Sequence, residues 1–186
     1  LAAHSVALQI SSFTFQVAFG VAQAATIRVG FYYGAGDHDG IARAGRAALL
    51  MGITFMTGAA LVLFALPAPF LAIYIETDDP ANAALLAIAG QYLFVAAAFQ
   101  IFDGTQAVAS GLLRGLQDTR APMLIAIGGY WLVGFVIAFA LGFATPLGGL
   151  GVWIGLAAGL MVVAGLLVWR WSRRGTHGLL PDPVRV

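Results

Sequence analysis

Cysteine is absent from all 186 residues, which excludes disulfides, thiolate metal sites and a cysteine nucleophile. Lysine is absent as well, so all 9 basic residues are arginines. Charge of either sign is scarce: 9% of residues are charged, against roughly 25% in an ordinary globular domain. No G-x4-GK-[ST] phosphate loop occurs, so the chain itself carries no nucleotide-driven motor. The opening residues, LAAHSVALQ, have neither an initiator methionine nor the basic region of a secretory leader, and the chain reads as a fragment whose missing part lies upstream.

What is present is apolar: 61% of the residues are hydrophobic, the composition of an integral membrane protein. Runs long enough to cross a hydrocarbon core of about 30 Å as helices predict an all-α, polytopic bundle over residues 1–172. Its spans cover about 5–28, 44–66, 81–115, 122–143 and 150–170, with 173–186 as a tail without periodicity, expected to be disordered. RVGFYYGAGDHDG after Arg28 reads as a glycine-rich turn in which Asp39 caps the next helix. Pro67 and Pro69 end the second span, Phe70 to Ile75 lies at the interface, and Pro80 suits the first position of the third helix.

Two features do not want lipid. Gln9, Ser12, Gln16 and Gln23 fall at offsets of 0, 3, 7 and 14, which places them with Gly20 on one face of the first helix. Such a seam either glues helices through amide and hydroxyl hydrogen bonds or lines a hydrated cavity. The second is Asp103, preceded by charge-free residues from Ala81 and followed by Arg114 about 11 residues on, roughly 16 Å along a helix. If Arg114 snorkels to one lipid boundary, Asp103 sits near the midplane, where a carboxylate costs about 2.5–3.5 kcal/mol or more and marks a functional site by default. Gln100 and Gln106 flank it at three residues on either side. By contrast Asp37, His38 and Asp39 are neighbours on a glycine-flanked loop without a further ligand group and read as loop and cap.

Arginines sit in alternate loops: Arg28, Arg43, Arg46, Arg114, Arg120, Arg170, Arg173 and Arg174 lie after spans one, three and five, and none in the other two loops. The positive-inside rule then makes the tail cytoplasmic and the first residue external, a second sign of a missing upstream span.

Three blocks carry a resemblance: SFTFQVAFGVAQAATIRVGFYYGAGD, DGTQAVASGLLRGLQDTRAPM, and YWLVGFVIAFALGF followed by LGGLGVWIGLAAGL. Together they resemble the C-terminal lobe of the multidrug and toxic compound extrusion (MATE) transporters, covering nearly the whole chain except the tail. The resemblance implies helices eight to twelve of a twelve-helix antiporter, in agreement with the arginine orientation, and a parent that exports cationic or amphipathic compounds in exchange for H⁺ or Na⁺. It implies a cation-coupling role for Asp103, with Gln9, Ser12, Gln16, Gln23, Gln100, Gln106 and Tyr130 as cavity-lining candidates. No catalytic residue, resident metal or cofactor is expected; if Na⁺ is the coupling ion, Gln100 or Thr105 can assist Asp103. The implied partners are small-molecule substrates, the lipid bilayer of a bacterial inner membrane and the absent N-terminal lobe, with no nucleic acid. The competing readings are a lipid-linked-sugar flippase, which would need arginines inside the spans, and an integral membrane enzyme, for which only the cluster around His38 is available.

Overall fold

The computed structural model describes residues 2–182, and among them the regular structure is entirely helical. The elements are α1 (Ala2–Gly34), α2 (His38–Ala65), α3 (Pro67–Ala72), a 3₁₀ turn (Pro80–Asn82), α4 (Ala83–Gly115), α5 (Arg120–Ile127), a π-helical segment (Gly128–Gly134), α6 (Phe135–Phe143) and α7 (Gly149–Ser172). Five stretches are long and apolar enough to cross a membrane: Ala2–Gly34, His38–Ala65, Pro80–Gly115, Arg120–Phe143 and Gly149–Ser172.

Helix α4 is the axis of the bundle, packed against α1, α2 and α7 at once. In lipid there is little hydrophobic gain in bringing two apolar helices together, so close approach through small residues has to supply the attraction. On α4 the small residues are Gly104, Gly111 and Gly115. A Cβ on Gly104 would press on Met56 and Ala18, one on Gly111 would strike the Ala22 carbonyl, and one on Gly115 would meet Val29 and the Thr26 carbonyl. The α1 face opposite is correspondingly small, with Ala18, Ala22 and Ala25 all buried. Thr26 Oγ1 lies 2.9 Å from both its own-helix acceptor, Ala22 O, and Gly111 O across the interface. The crossing is thereby hydrogen-bonded as well as packed.

A second small-residue stripe fixes the fourth span to α7. Gly151, Gly155 and Gly159 recur every fourth residue, so they share one face. A Cβ there would enter the backbone of Leu141, Ala138 and Gly134 respectively. Its signature is the run GLGVWIGLAAGL, a repeated G-x-x-x-G.

Several local expectations change. Helix α1 runs on through Arg28 to Gly34, where a turn was expected, because Arg28 rides over the Tyr32 ring at 5.4 Å one helical turn later and needs no loop to escape the apolar region. The turn that remains places Gly36 at φ 65°, and the cap of α2 is Asp37, not Asp39: its Oδ1 accepts from Gly40 N at 2.7 Å. Pro67 both ends α2 and begins α3, whereas Pro80 opens the 3₁₀ turn capped by Asp79. Residues 173–182 of the tail fold back on the bundle, and the last four residues lie outside the described ones. Leu179 and Leu180 pack on the core at the arginine-bearing end, and His38 Nε2 meets Pro181 O at 2.8 Å. Arg174 lies over the Trp171 ring at 4.6 Å, and burial together with the nearby charge of Arg46 lowers its pKa. The loop between α4 and α5 is tied to α7 by Arg170 Nε donating to Asp118 Oδ2 at 2.6 Å.

The two glycine environments on α7 make a paired test. Gly155→Ala drives a methyl into backbone that cannot give way, whereas nothing lies within 4 Å of a Cβ on Gly165. Gly155→Ala is expected to lower the stability of the full-length protein in detergent by about 1–3 kcal/mol, while Gly165→Ala is neutral or stabilising because it removes helix-interior flexibility. A thermal-unfolding comparison checks both, and equal melting temperatures for the two variants would disprove the packing role.

Candidate functional site

The site is built where α4, α1 and the π segment meet. Asp103 is half-buried on α4, one residue before the Gly104 contact that seats α4 against α1 and α2. Gln106, one turn further, is a hydrogen-bond partner of the Asp103 side chain. Tyr130 Oη donates to Gln106 Oε1 at 3.0 Å. Once its oxygen is engaged by the tyrosine, the amide has only N–H groups to offer the carboxylate, so Tyr130 sets the orientation in which Gln106 faces Asp103. Tyr130, Gln106 and Asp103 thus form a line of polar side chains contributed by two helices.

Tyr130 reaches α4 because its helix is widened locally. Phe135 N donates to Tyr130 O, five residues back, within the Gly128–Gly134 segment. Such π turns insert a residue into a helix and turn its side chains relative to a regular continuation. The glycines that flank the tyrosine make the segment possible: Gly129 sits under Val163 and Gly134 against Gly159, both on α7. The sequence signal for this was GGY, two helix-weakening glycines directly before the tyrosine. No reading of apolar runs alone detects it.

One turn before Asp103, Gln100 is 1% exposed and its Oε1 accepts from Thr14 Oγ1 on α1 at 2.8 Å. Gln100 Nε2 has no hydrogen-bond partner among the described residues. Thr14 is absent from the sequence-derived candidates because it lies on the opposite side of α1 from the glutamine seam. Thr105 Oγ1 is turned back on its own helix, donating to Ile101 O at 2.7 Å. Among the described residues no group of three or more His, Asp or Glu side chains could hold a metal, and no arginine lies within ion-pair distance of Asp103. Asp37 and His38 are occupied as cap and tail contact, as described above.

Gln9, Ser12, Gln16, Gly20 and Gln23 form an exposed stripe along α1. They join no helices among the described residues: the α1–α4 interface uses the opposite face, built from Ala7, Ser11, Ala18, Ala22 and Val29. The seam, on α1, is therefore separate from the Asp103 network, which lies on α4 and the π segment.

Residues 1–140 match the MatE family model. The chain belongs to the MatE family. It is 48% identical over 174 residues to the "Probable multidrug resistance protein NorM" of Mesorhizobium japonicum, covering 94% of this chain and 37% of that protein. Against the "Multidrug resistance protein NorM" of Burkholderia vietnamiensis it is 48% identical over 183 residues, covering 98% and 39%. Its fold is similar to that of the eukaryotic MATE transporter AtDTX14, with a TM-score of 0.80 at 21% identity over 96% of this chain and 41% of the other. An inward-facing MATE transporter gives a TM-score of 0.81 at 18% identity, covering 93% and 39%. This MatE chain thus spans about two fifths of the length of the relatives it matches, and with its five apolar helices it is a multi-pass membrane protein. The seam faces away from the other described helices, so it is open to water or to further protein. The absence of cysteine allows the two to be separated. In the full-length protein, with upstream cysteines replaced, Gln16→Cys is expected to react with a membrane-impermeant maleimide at least about tenfold faster than the buried control Ala22→Cys, as hydrated thiols do. Equal protection of both would place the seam against protein.

Proposed function

We propose that the full-length protein is a secondary multidrug antiporter of the inner membrane, and that this chain supplies the spans corresponding to helices eight to twelve with the tail on the cytoplasmic side. The observation that carries the reading is the Asp103 carboxylate beside the Gln106–Tyr130 pair, with no arginine among the described residues within ion-pair distance of it. The relatives named as multidrug resistance proteins support the substrate class.

The chemistry is a competition for one charge. Ionised, Asp103 attracts a cationic compound or a coupling cation; protonated, it is neutral and releases it. Cation and substrate cannot both be held at full strength, so loading one expels the other, and two such states facing opposite sides of the membrane make an antiport cycle. If the ion is Na⁺, Asp103 provides one oxygen, and Gln100, whose side chain is already fixed by Thr14, is closer to being preorganised than Thr105. A flippase for a diphosphate-linked sugar would require cations within the spans. Among the described residues the arginines lie in loops or in the outer turns of the helices, so the antiporter is preferred.

Asp103→Asn keeps the shape and removes the titratable charge. In the full-length protein it is expected to abolish gradient-driven ethidium efflux from vesicles while leaving membrane insertion intact; efflux at the parent rate would make Asp103 a helix-packing residue and end the proposal. Tyr130→Phe removes one neutral hydrogen bond two steps from the carboxyl, and should slow the same efflux by about 2- to 10-fold. Gln106→Leu breaks both contacts of the amide and is expected to cost more than Tyr130→Phe. The reverse order would show that Tyr130 acts on substrate directly and not through Gln106.

A further inference from the structure

Away from Asp103, a groove of about 500 Å³ runs between α1 and α2. Its walls include Ala24 and Ala47, and Met51, 60% exposed, leaves it open to the side. Its mouth, at the arginine-bearing end, is formed by Arg28, Tyr32 and Arg43. This volume is in the range of small-molecule sites, yet its few polar groups are gathered at one end, the layout of an amphiphile and not of a compact polar ligand.

The charges decide which amphiphile. Arg28 has only the ring and hydroxyl of Tyr32 as partners, the latter at 3.3 Å, and among the described residues no carboxylate lies within ion-pair distance of it. Arg43, its side chain 62% exposed, reaches Asp37 at 3.7 Å, and that carboxylate is already engaged as the cap of α2. Two guanidiniums at the mouth repel the cationic compounds expected at Asp103 and favour a phosphate, which guanidinium groups bind through paired N–H donors. The tyrosine suits the same headgroup level, where amphipathic aromatic rings collect.

We propose that the α1–α2 groove is a binding site for an anionic phospholipid, with its phosphate held at Arg28 and Arg43 and an acyl chain lying along Ala24, Ala47 and Met51. The site is independent of the antiport reading, since it shares no residue with the Asp103 network. A lipid seated there fills the gap between α1 and α2 on the helix that also bears the polar seam, so anionic lipid content would bear on how these two helices sit.

Native mass spectrometry of the detergent-purified full-length protein, with phosphatidylglycerol or phosphatidylcholine added, reads the site directly. The parent is expected to retain phosphatidylglycerol in preference to phosphatidylcholine. Arg28→Gln/Arg43→Gln should weaken phosphatidylglycerol retention about 30-fold, the factor two arginines supply at an anionic surface, and leave phosphatidylcholine unchanged. Unchanged phosphatidylglycerol retention in the double variant, or equal retention of both lipids by the parent, would overturn the proposal. A single Ala24→Cys, probed with a lipid-soluble maleimide in proteoliposomes, gives an independent reading. Labelling that slows as phosphatidylglycerol replaces phosphatidylcholine supports the site. A thiol unreactive in every lipid would mean that the rest of the chain covers the groove, and labelling that ignores lipid charge would mean that acyl chains enter it without headgroup recognition; either result rejects the proposal.

Discussion

Everything in this chain depends on how closely helices can approach when water is not available to drive them together. Hydrocarbon solvates a leucine as well as a neighbouring helix does, so association rests on contact density and on the few interhelical hydrogen bonds that small residues allow. Gly104, Gly111 and Gly115 bring α4 onto α1 and α2, and Gly151, Gly155 and Gly159 bring the fourth span onto α7. Because α4 touches three neighbours, the side chains it carries between those contacts are held at fixed positions. Asp103 stands immediately beside Gly104, the point where α4 meets both Met56 of α2 and Ala18 of α1. A titratable group in such a place sits on a closely packed backbone, with Gln106 and Tyr130 as its polar neighbours.

The sequence made the coarse architecture legible for a simple physical reason. A span must be long, apolar and nearly uncharged, and arginines must stay outside it, so the number of spans and the position of Asp103 within the third are recorded in composition alone. The membership of the MatE family was legible from ordered motifs such as RVGFYYGAGD and LRGLQDTRAPM. Finer features were not, and each miss has its cause. Asp37 and Asp39 are equally good capping side chains two residues apart, and the choice was made by Gly36, whose positive φ sets where α2 can begin. The extension of α1 past Arg28 turned on a side-chain stacking over Tyr32 that periodicity does not encode.

The tail and the π segment show two further limits. Residues 173–182 have no hydrophobic period, yet Leu179 and Leu180 find a core to pack on and Pro181 O meets His38 Nε2. Local composition gives no account of a partner that lies more than fifty residues away. In the fourth span the glycines that would normally weaken a helix instead allow the π turn that aims Tyr130 at Gln106. Gly129 and Gly134 were visible in the sequence, but their meaning depends on Val163 and Gly159 of α7, so a single-segment reading treats them as defects.

The exposed surfaces of the bundle fall into two kinds that cannot share one solvent. Along α1 lie Gln9, Ser12, Gln16 and Gln23, amides and a hydroxyl that need hydrogen-bond partners. Along the fourth span lie Trp131, Phe135, Phe139 and Phe143, between 55% and 78% exposed, with successive ring centroids 5.1–6.3 Å apart. Lipid or an apolar helix suits the second and would penalise the first by several kcal/mol for each unsatisfied polar group. The Asp103 network lies between them in composition: Tyr130 belongs to the helix that bears the aromatic ladder, while α4 is seated on the helix that bears the seam. A carboxylate in that position adjoins both polar and apolar surroundings. On the antiport reading proposed above, whether it holds a cation would depend on small differences in hydration and hydrogen bonding, the condition a coupling residue must meet if it is to bind its ion in one state and release it in another.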